Sequence, residues 1–100
     1  MKLRYFFDPG SGVCLWASDE EARDAFGYSV ELERLPLPER LITAGCELIT
    51  WFNTSIDWDY PPNPSPWSPA ERTKFMAASD AFYSRLVAAL GTEYELANEA

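Results

Sequence analysis

Residues 2–17, KLRYFFDPGSGVCLWA, contain two apolar runs on either side of a cluster of turn-forming residues. In the first run Leu3, Tyr5 and Phe7 share one face of an extended chain, which is the spacing of a half-buried strand. Residues 8–12 favour a turn, because proline presets its own dihedral angle and glycine supplies positive φ. The second run then provides the return strand. The segment therefore predicts a β-hairpin.

A short helix is expected directly after the hairpin. Ser18 and Glu21 have the spacing of a capping box, and Gly27 is a natural stop. Residues 28–35 alternate loosely between apolar and polar side chains and indicate an extended segment or a third strand. This part of the chain thus adds one short helix and at most one strand to the hairpin.

Two longer helices account for most of the remaining chain. Residues 37–52 have apolar side chains at helical spacing, and Pro38 suits the first helical position because its missing N–H costs nothing there. Ser68 begins the last helix with a capping box, and Gly91 ends it. The apolar stripe of this helix consists of Phe75, Ala78, Phe82, Leu86, Val87 and Leu90.

The chain ends in a polar–apolar alternation over residues 92–97 that predicts an edge strand. The expected elements run strand, strand, short helix, extended segment, helix, helix, strand. This order predicts an α+β fold with a small antiparallel sheet, made of the N-terminal hairpin plus the C-terminal strand, packed against two main helices and one short helix. A chain of 100 residues has the size of one domain, so residues 1–100 are expected to form a single domain.

The charge balance excludes several classes of partner. Sixteen acidic residues against eight basic ones give a net charge of −8. Phosphate backbones and anionic membrane surfaces attract clusters of lysine and arginine, so neither nucleic acid nor a membrane is an expected partner. No stretch approaches the ~18 apolar residues of a membrane-spanning helix.

The residue types also limit the chemistry. The sequence contains no histidine, which removes every Ser-His, Cys-His and His-metal mechanism. Cys14 and Cys46 are too few for a four-ligand zinc site or a secreted disulfide framework, and both are expected to be buried, reduced thiols. The first residues lack the apolar run of a signal peptide. A cytoplasmic protein is therefore expected.

Three short patterns resemble catalytic or ligand sites, and each has a simpler structural explanation. Asp57 and Asp59 lack the further oxygen ligands of a calcium loop, and a chain of this size lacks the second layer that walls a sugar cleft. Cys14 lacks a base that would make it a nucleophile. Gly10-Ser11-Gly12 lacks the lysine and the following helix of a phosphate-binding loop. We therefore predict no catalytic residue, no metal site and no cofactor.

The segment between the two long helices has the strongest functional signal. Residues 57–67, DWDYPPNPSPW, contain four prolines and can form neither a helix nor a strand. Trp58, Tyr60 and Trp67 therefore lie in a loop that cannot bury all three. Large loop aromatics either fix the loop to its own domain or contact a partner, and tryptophan and tyrosine are enriched at interface hot spots. Both interpretations remain open at this point.

Acidic side chains are concentrated in two places. Residues 19–33 hold six acids and one arginine, and two further carboxylates lie in the proline-rich loop. Such a surface either serves solubility or attracts a basic protein partner. On the second interpretation the partner-binding residues are the loop residues Asp57, Trp58, Asp59, Tyr60 and Trp67, with Glu20, Asp24, Glu31 and Glu33 at the rim.

Two parts of the chain are similar to a known class of protein: Leu3-Arg4-Tyr5-Phe6-Phe7-Asp8 with Trp16, and Trp51-Phe52 with Asp57-Trp58, Pro61-Pro62, Pro64 and Trp67. Together they resemble small acidic bacterial immunity proteins, which are encoded beside polymorphic or contact-dependent toxins. The resemblance implies a cytoplasmic, non-enzymatic inhibitor that binds and neutralises a cognate, basic toxin domain with fixed stoichiometry. It assigns no functional residue position by position. The alternative is a small non-catalytic adaptor or accessory module in a larger assembly.

Overall fold

Four strands and three α-helices make up the computed structural model, which describes residues 1–100. The strands are β1 (Lys2–Tyr5), β2 (Leu15–Ala17), β3 (Ser29–Val30) and β4 (Glu95–Asn98). The helices are α1 (Glu20–Phe26), α2 (Glu39–Asn53) and α3 (Pro69–Leu90). Single 3-10 turns follow β3 at Leu32–Arg34 and α3 at Gly91–Glu93. The predicted α+β class is confirmed.

The hairpin of β1 and β2 forms the centre of the sheet, whose strand order is β3-β2-β1-β4. The two hairpin strands are antiparallel, with Leu3 opposite Ala17 and Tyr5 opposite Leu15. Strand β3 adds to the free side of β2, again antiparallel. The hairpin prediction is therefore confirmed, and the segment read as extended or strand contributes two residues to the sheet.

The sheet is mixed, and the prediction of a purely antiparallel sheet is wrong in its last strand. Strand β4 lies at the edge, as expected, but it runs parallel to β1, with Leu3 beside Leu96. The physical reason is the path of the long helix α3, which returns the chain to the end of the sheet where β1 begins. There the Met1 amino group donates to the Glu93 carbonyl and the Glu95 amide donates to the Met1 carbonyl, at 2.9 and 2.8 Å.

The helix ends follow capping chemistry, with two shifts from the sequence prediction. Pro38 precedes α2 as its N-cap in extended conformation, and is not the first helical residue. Asp19, and not Ser18, caps α1: its Oδ1 accepts from the Ala22 amide at 2.9 Å, and its Oδ2 accepts from the Lys2 amide at 3.0 Å. A carboxylate can serve the helix and the neighbouring strand at once, which a hydroxyl cannot do as well. Ser68 caps α3 as predicted, because its Oγ accepts from the Glu71 amide at 3.1 Å.

One face of the sheet packs against α2 and α3 to form the core. Its members are Leu3, Tyr5, Cys14, Leu15, Ala17, Ala22, Val30, Leu32, Leu35, Leu41, Leu48, Phe75, Phe82, Leu86 and Leu90. The Tyr5 hydroxyl is buried there and lies 2.9 Å from Ser79 Oγ. Two predicted core positions are exposed: Val87 retains 44% of its accessible surface, and Cys46 lies on the outer side of α2. Burial stabilises the fold through the apolar area removed from water.

The opposite face of the sheet carries no long helix and is covered by its own aromatic side chains. Phe6 stacks on Trp16 with ring centroids 4.8 Å apart, and the Tyr28 ring lies 5.3 Å from that of Trp16 in a tilted arrangement. Trp16 is consequently only 7% exposed, and its Nε1 donates to the Phe6 carbonyl at 3.1 Å. None of the helices combines the length and apolar composition needed to cross a bilayer.

Candidate partner-binding surface

The proline-rich loop 57–67 lies at the turn end of the β1–β2 hairpin. The Gly10 amide of the hairpin turn donates to Asn53 Oδ1 at the end of α2, at 3.0 Å. The Trp58 ring approaches the same glycine so closely that a Cβ at position 10 would lie 3.4 Å from Trp58 Cη2. Turn, helix end and loop therefore form one contiguous surface at this end of the molecule.

Asp57 organises the loop from within. Its carboxylate accepts hydrogen bonds from the amides of Asp59 and Tyr60 at 3.1 and 3.3 Å, and from the side-chain amide of Asn63 at 3.0 Å. These donors, the Asn63 amide foremost, lower the pKa of Asp57 below its ordinary value. The arrangement is an Asx turn that closes the loop, so the Asp57 carboxylate is occupied by its own chain.

Trp67 attaches the far end of the loop to the helices. Its Nε1 donates to Thr54 Oγ1 at 2.7 Å, just beyond α2. Its ring centroid lies 5.1 Å from that of Phe75, and 6.1 and 6.2 Å from those of Trp51 and Phe52. The indole is partly buried in this aromatic cluster. Trp67 thus holds the loop in place, which leaves less of it for contact with a partner.

Three consecutive side chains of the loop face solvent. Trp58 and Tyr60 retain 55% and 52% of their accessible surface, and Asp59 between them is exposed and makes no ion pair. The Trp58 indole is nevertheless fixed, because its Nε1 donates to the Asn53 carbonyl at 2.8 Å. The loop therefore presents two aromatic rings and a free carboxylate from a backbone that is already ordered.

The second group of predicted site residues lies elsewhere. Glu20 and Asp24 are exposed on α1. This helix lies at the end of the hairpin where β1 begins, because Asp19 accepts a hydrogen bond from the Lys2 amide there. The loop contacts the opposite end of the hairpin, at the turn. The rise of an extended chain from Lys2 to the turn places these two ends about 20 Å apart. The structure thus does not bring the α1 acids together with the loop residues.

Glu31 and Glu33 are also exposed; Glu31 precedes the 3-10 turn after β3, and Glu33 lies within it. The Cys46 thiol on α2 lies 3.8 Å from Glu33 Oε1. Burial and the Glu33 carboxylate raise the Cys46 pKa. In the same turn the Arg34 guanidinium donates to the Ala25 and Phe26 carbonyls, both at 3.0 Å, and so ties this segment to the end of α1. The segment that carries Glu31 and Glu33 is therefore attached to the end of α1, the helix that carries Glu20 and Asp24.

Besides Val87, two exposed large apolar residues were not predicted as site residues. Tyr28, at 56% exposure, follows the glycine that ends α1, and Met76, at 54%, lies beside Phe75 on α3. The signal for Met76 is present in the sequence, since a methionine off the apolar stripe of an amphipathic helix has no core to enter. Tyr28 carries no such signal, because the segment after Gly27 has no regular period.

Cys14 is buried and makes no disulfide. Burial raises the pKa of the Cys14 thiol to about 12, the direction opposite to that of a nucleophilic cysteine. No three acidic or cysteine side chains converge on a point where they could hold a metal ion. The candidate functional feature is the exposed surface of the proline-rich loop.

Comparison with protein families gives one result. A family model described as Serratia CdiI immunity protein-like matches residues 2–98. The match includes all four strands, all three helices and the proline-rich loop. No curated protein matches the chain.

Proposed function

Because the chain belongs to the Serratia CdiI immunity protein-like family, we propose that it is a stoichiometric inhibitor that binds and neutralises a cognate toxin domain. The toxin is a basic protein domain encoded beside it, and the inhibitor acts in the cytoplasm without turnover. The family match supports the general class of function, toxin immunity. The binding surface and the chemistry of binding are proposed from the residues of the loop.

The observation that carries the proposed binding surface is the exposed run Trp58-Asp59-Tyr60 on an ordered loop. Tryptophan and tyrosine supply large contact areas with few rotatable bonds, and a carboxylate between them can pair with a lysine or arginine of the partner. Asp57, Trp67 and the loop prolines hold the backbone before contact, which lowers the ordering cost of association.

The four predicted rim acids extend the proposal. A standard interface removes about 800 Å² from each partner, more than three loop residues can supply. Glu20, Asp24, Glu31 and Glu33 act mainly at long range, because exposed charges accelerate the encounter with a basic partner more than they add to affinity. We therefore assign the loop to affinity and these rim acids to the rate of association.

The test is co-purification followed by light scattering. The toxin domain encoded beside this chain, made inactive by a substitution in its own active site, is mixed with the protein and separated by size exclusion. We expect a single peak with the mass of a one-to-one complex. An adaptor, the alternative function, would instead leave the toxin domain free. Free toxin at micromolar concentrations of both proteins would contradict the proposal.

A further inference from the structure

An apolar groove adjoins the proline-rich loop and is not used by the surface described above. It lies between the end of β1, the end of α2 and the first turns of α3, and has a volume of about 230 Å³. Seven of its nine lining residues are apolar, among them Phe6, Phe7, Phe52, Trp67, Phe75 and Met76. Trp67 belongs to both features, so the groove is continuous with the loop.

The size of the groove limits what can enter it. Pockets for cofactors and drug-sized ligands have volumes of roughly 300–1,000 Å³. A space of 230 Å³ is smaller than this range and suits a single large side chain. Met76 stands at the groove with 54% of its surface exposed, and a methionine side chain adapts easily to the shape of an inserted group.

The charges at the rim are unequal. Glu99 is neutralised by Arg4, whose guanidinium donates to both carboxylate oxygens of Glu99 at 2.7–3.0 Å. Arg72, across the groove, makes no ion pair and places its guanidinium carbon 5.9 Å from the centroid of the Trp67 ring. Arg72 is therefore the one charged side chain of the lining without an ion partner, in a chain whose net charge is −8.

We propose that this groove receives one apolar side chain of the toxin domain, and that a carboxylate next to that side chain pairs with Arg72. The assignment rests on the proposed function and adds the chemistry of one contact. The apolar walls desolvate the inserted side chain, and Arg72 fixes its orientation through a charged hydrogen bond. The partner, although basic as a whole, thus presents an apolar–acidic pair at this point.

Two substitutions with matched controls test the assignment. Arg72→Glu reverses the rim charge, and Lys74→Glu makes the same change of net charge on an exposed residue of α3 that does not line the groove. Met76→Asp places a charge at the groove, and Ala77→Asp places it on the exposed neighbour. The affinity of each variant for the inactivated toxin domain is measured by titration calorimetry. We expect each groove variant to bind at least about tenfold more weakly than its control.

The outcomes separate the two proposals. If the unchanged protein binds the toxin domain and both groove variants bind as tightly as their controls, the groove assignment is wrong and the proposed function stands. If the unchanged protein does not bind the toxin domain, both are wrong. If the protein dimerises and Arg72→Glu abolishes the dimer, the groove accepts a second copy of this chain, which also overturns the assignment. The assignment is supported if a toxin peptide that carries the apolar–acidic pair shifts the NMR resonances of the Arg72 guanidinium.

Discussion

The Nε1 of Trp67 donates a 2.7 Å hydrogen bond to Thr54 Oγ1, which joins the end of the proline-rich loop to the end of α2. Thr54 Oγ1 in turn lies 2.6 Å from the Trp51 carbonyl, to which it donates. The loop is therefore bonded to the last turn of α2, whose Trp51 carbonyl also accepts from the Thr54 amide at 3.0 Å. This connection makes the loop part of the folded domain.

Substitution of Trp67 is expected to destabilise the whole domain. Trp67→Ala removes an indole that packs against Phe75 and Phe52, and we expect a loss of about 2–3 kcal/mol in the free energy of unfolding, below the range for fully buried aromatics. Trp67→Phe keeps most of the packing and removes the hydrogen bond to Thr54, which contributes about 1 kcal/mol. Urea unfolding measures both. A Trp67→Ala protein as stable as the parent would show that the loop is not fixed in this way.

Asp57 is expected to make the order of the loop depend on pH. The hydrogen bonds from Asn63 and from the loop amides hold its pKa below the ordinary value. A lowered folded-state pKa contributes stability that is complete above the unfolded pKa, near 4, and is lost as the pH falls through the folded pKa. We expect the Asn63 side-chain amide resonances to shift towards random-coil positions only below about pH 4. Asp57→Asn should remove this dependence, and an unchanged profile in that variant would assign it to another group.

The alkaline limit of stability is expected to depend on two buried groups. Burial raises the pKa of Cys14 to about 12, and it also raises the pKa of Tyr5. Both groups are neutral in the folded state, so their contribution is complete below the unfolded pKa values, near 8.5 and 10, and is lost as the pH rises. Each unmatched proton changes the free energy of unfolding by about 1.4 kcal/mol per pH unit.

The test of the alkaline limit is urea unfolding between pH 8 and 11. We expect stability to fall more steeply above pH 10 than below it, and Cys14→Ala to flatten the first part of the curve. The slope is compared and not the absolute stability, because the variant also loses packing. An identical slope in Cys14→Ala would show that the thiol ionises equally in both states.

Gly45 is expected to be needed for the contact between α2 and the elements around it. A Cβ at this position would meet Leu32 Cδ1 too closely and would lie 2.9 Å from Phe82 Cζ. Overpacking costs about 1–3 kcal/mol, while alanine gains about 1 kcal/mol over glycine in a helix. We expect Gly45→Ala to be destabilising by about 1 kcal/mol in urea unfolding. A more stable variant would show that both side chains move aside without cost.

The sequence could predict those features that depend on local chemistry. The turn at residues 8–12 predicts the hairpin, and Ser68 and Gly91 predict the ends of α3, because each acts within a few residues of itself. The direction of β4 was predicted wrongly, since an alternating pattern identifies a strand but contains no information about its neighbour. Cys46 was predicted to be buried and is exposed, because an apolar period does not show which positions of a helix another element covers.

The loop residues show the same division. Four prolines and three large aromatics were enough to predict a loop that cannot bury all of its aromatic side chains. The sequence could not distinguish Trp67 from Trp58, because their roles depend on which indole meets Phe75 and which meets the hairpin turn. Arg72 and Met76 could not be joined to Phe6 and Phe7 for a similar reason. The groove exists only where α3 passes the end of β1.

The titration of toxin activity is the most direct test of the central claim, that this protein is a stoichiometric inhibitor. The active toxin domain encoded beside the chain is held at a fixed concentration well above the dissociation constant, and its residual activity is measured as the protein is added. We expect a linear fall that ends at one equivalent, with no recovery on longer incubation. Activity that persists at several equivalents, or that returns with time, would contradict this account.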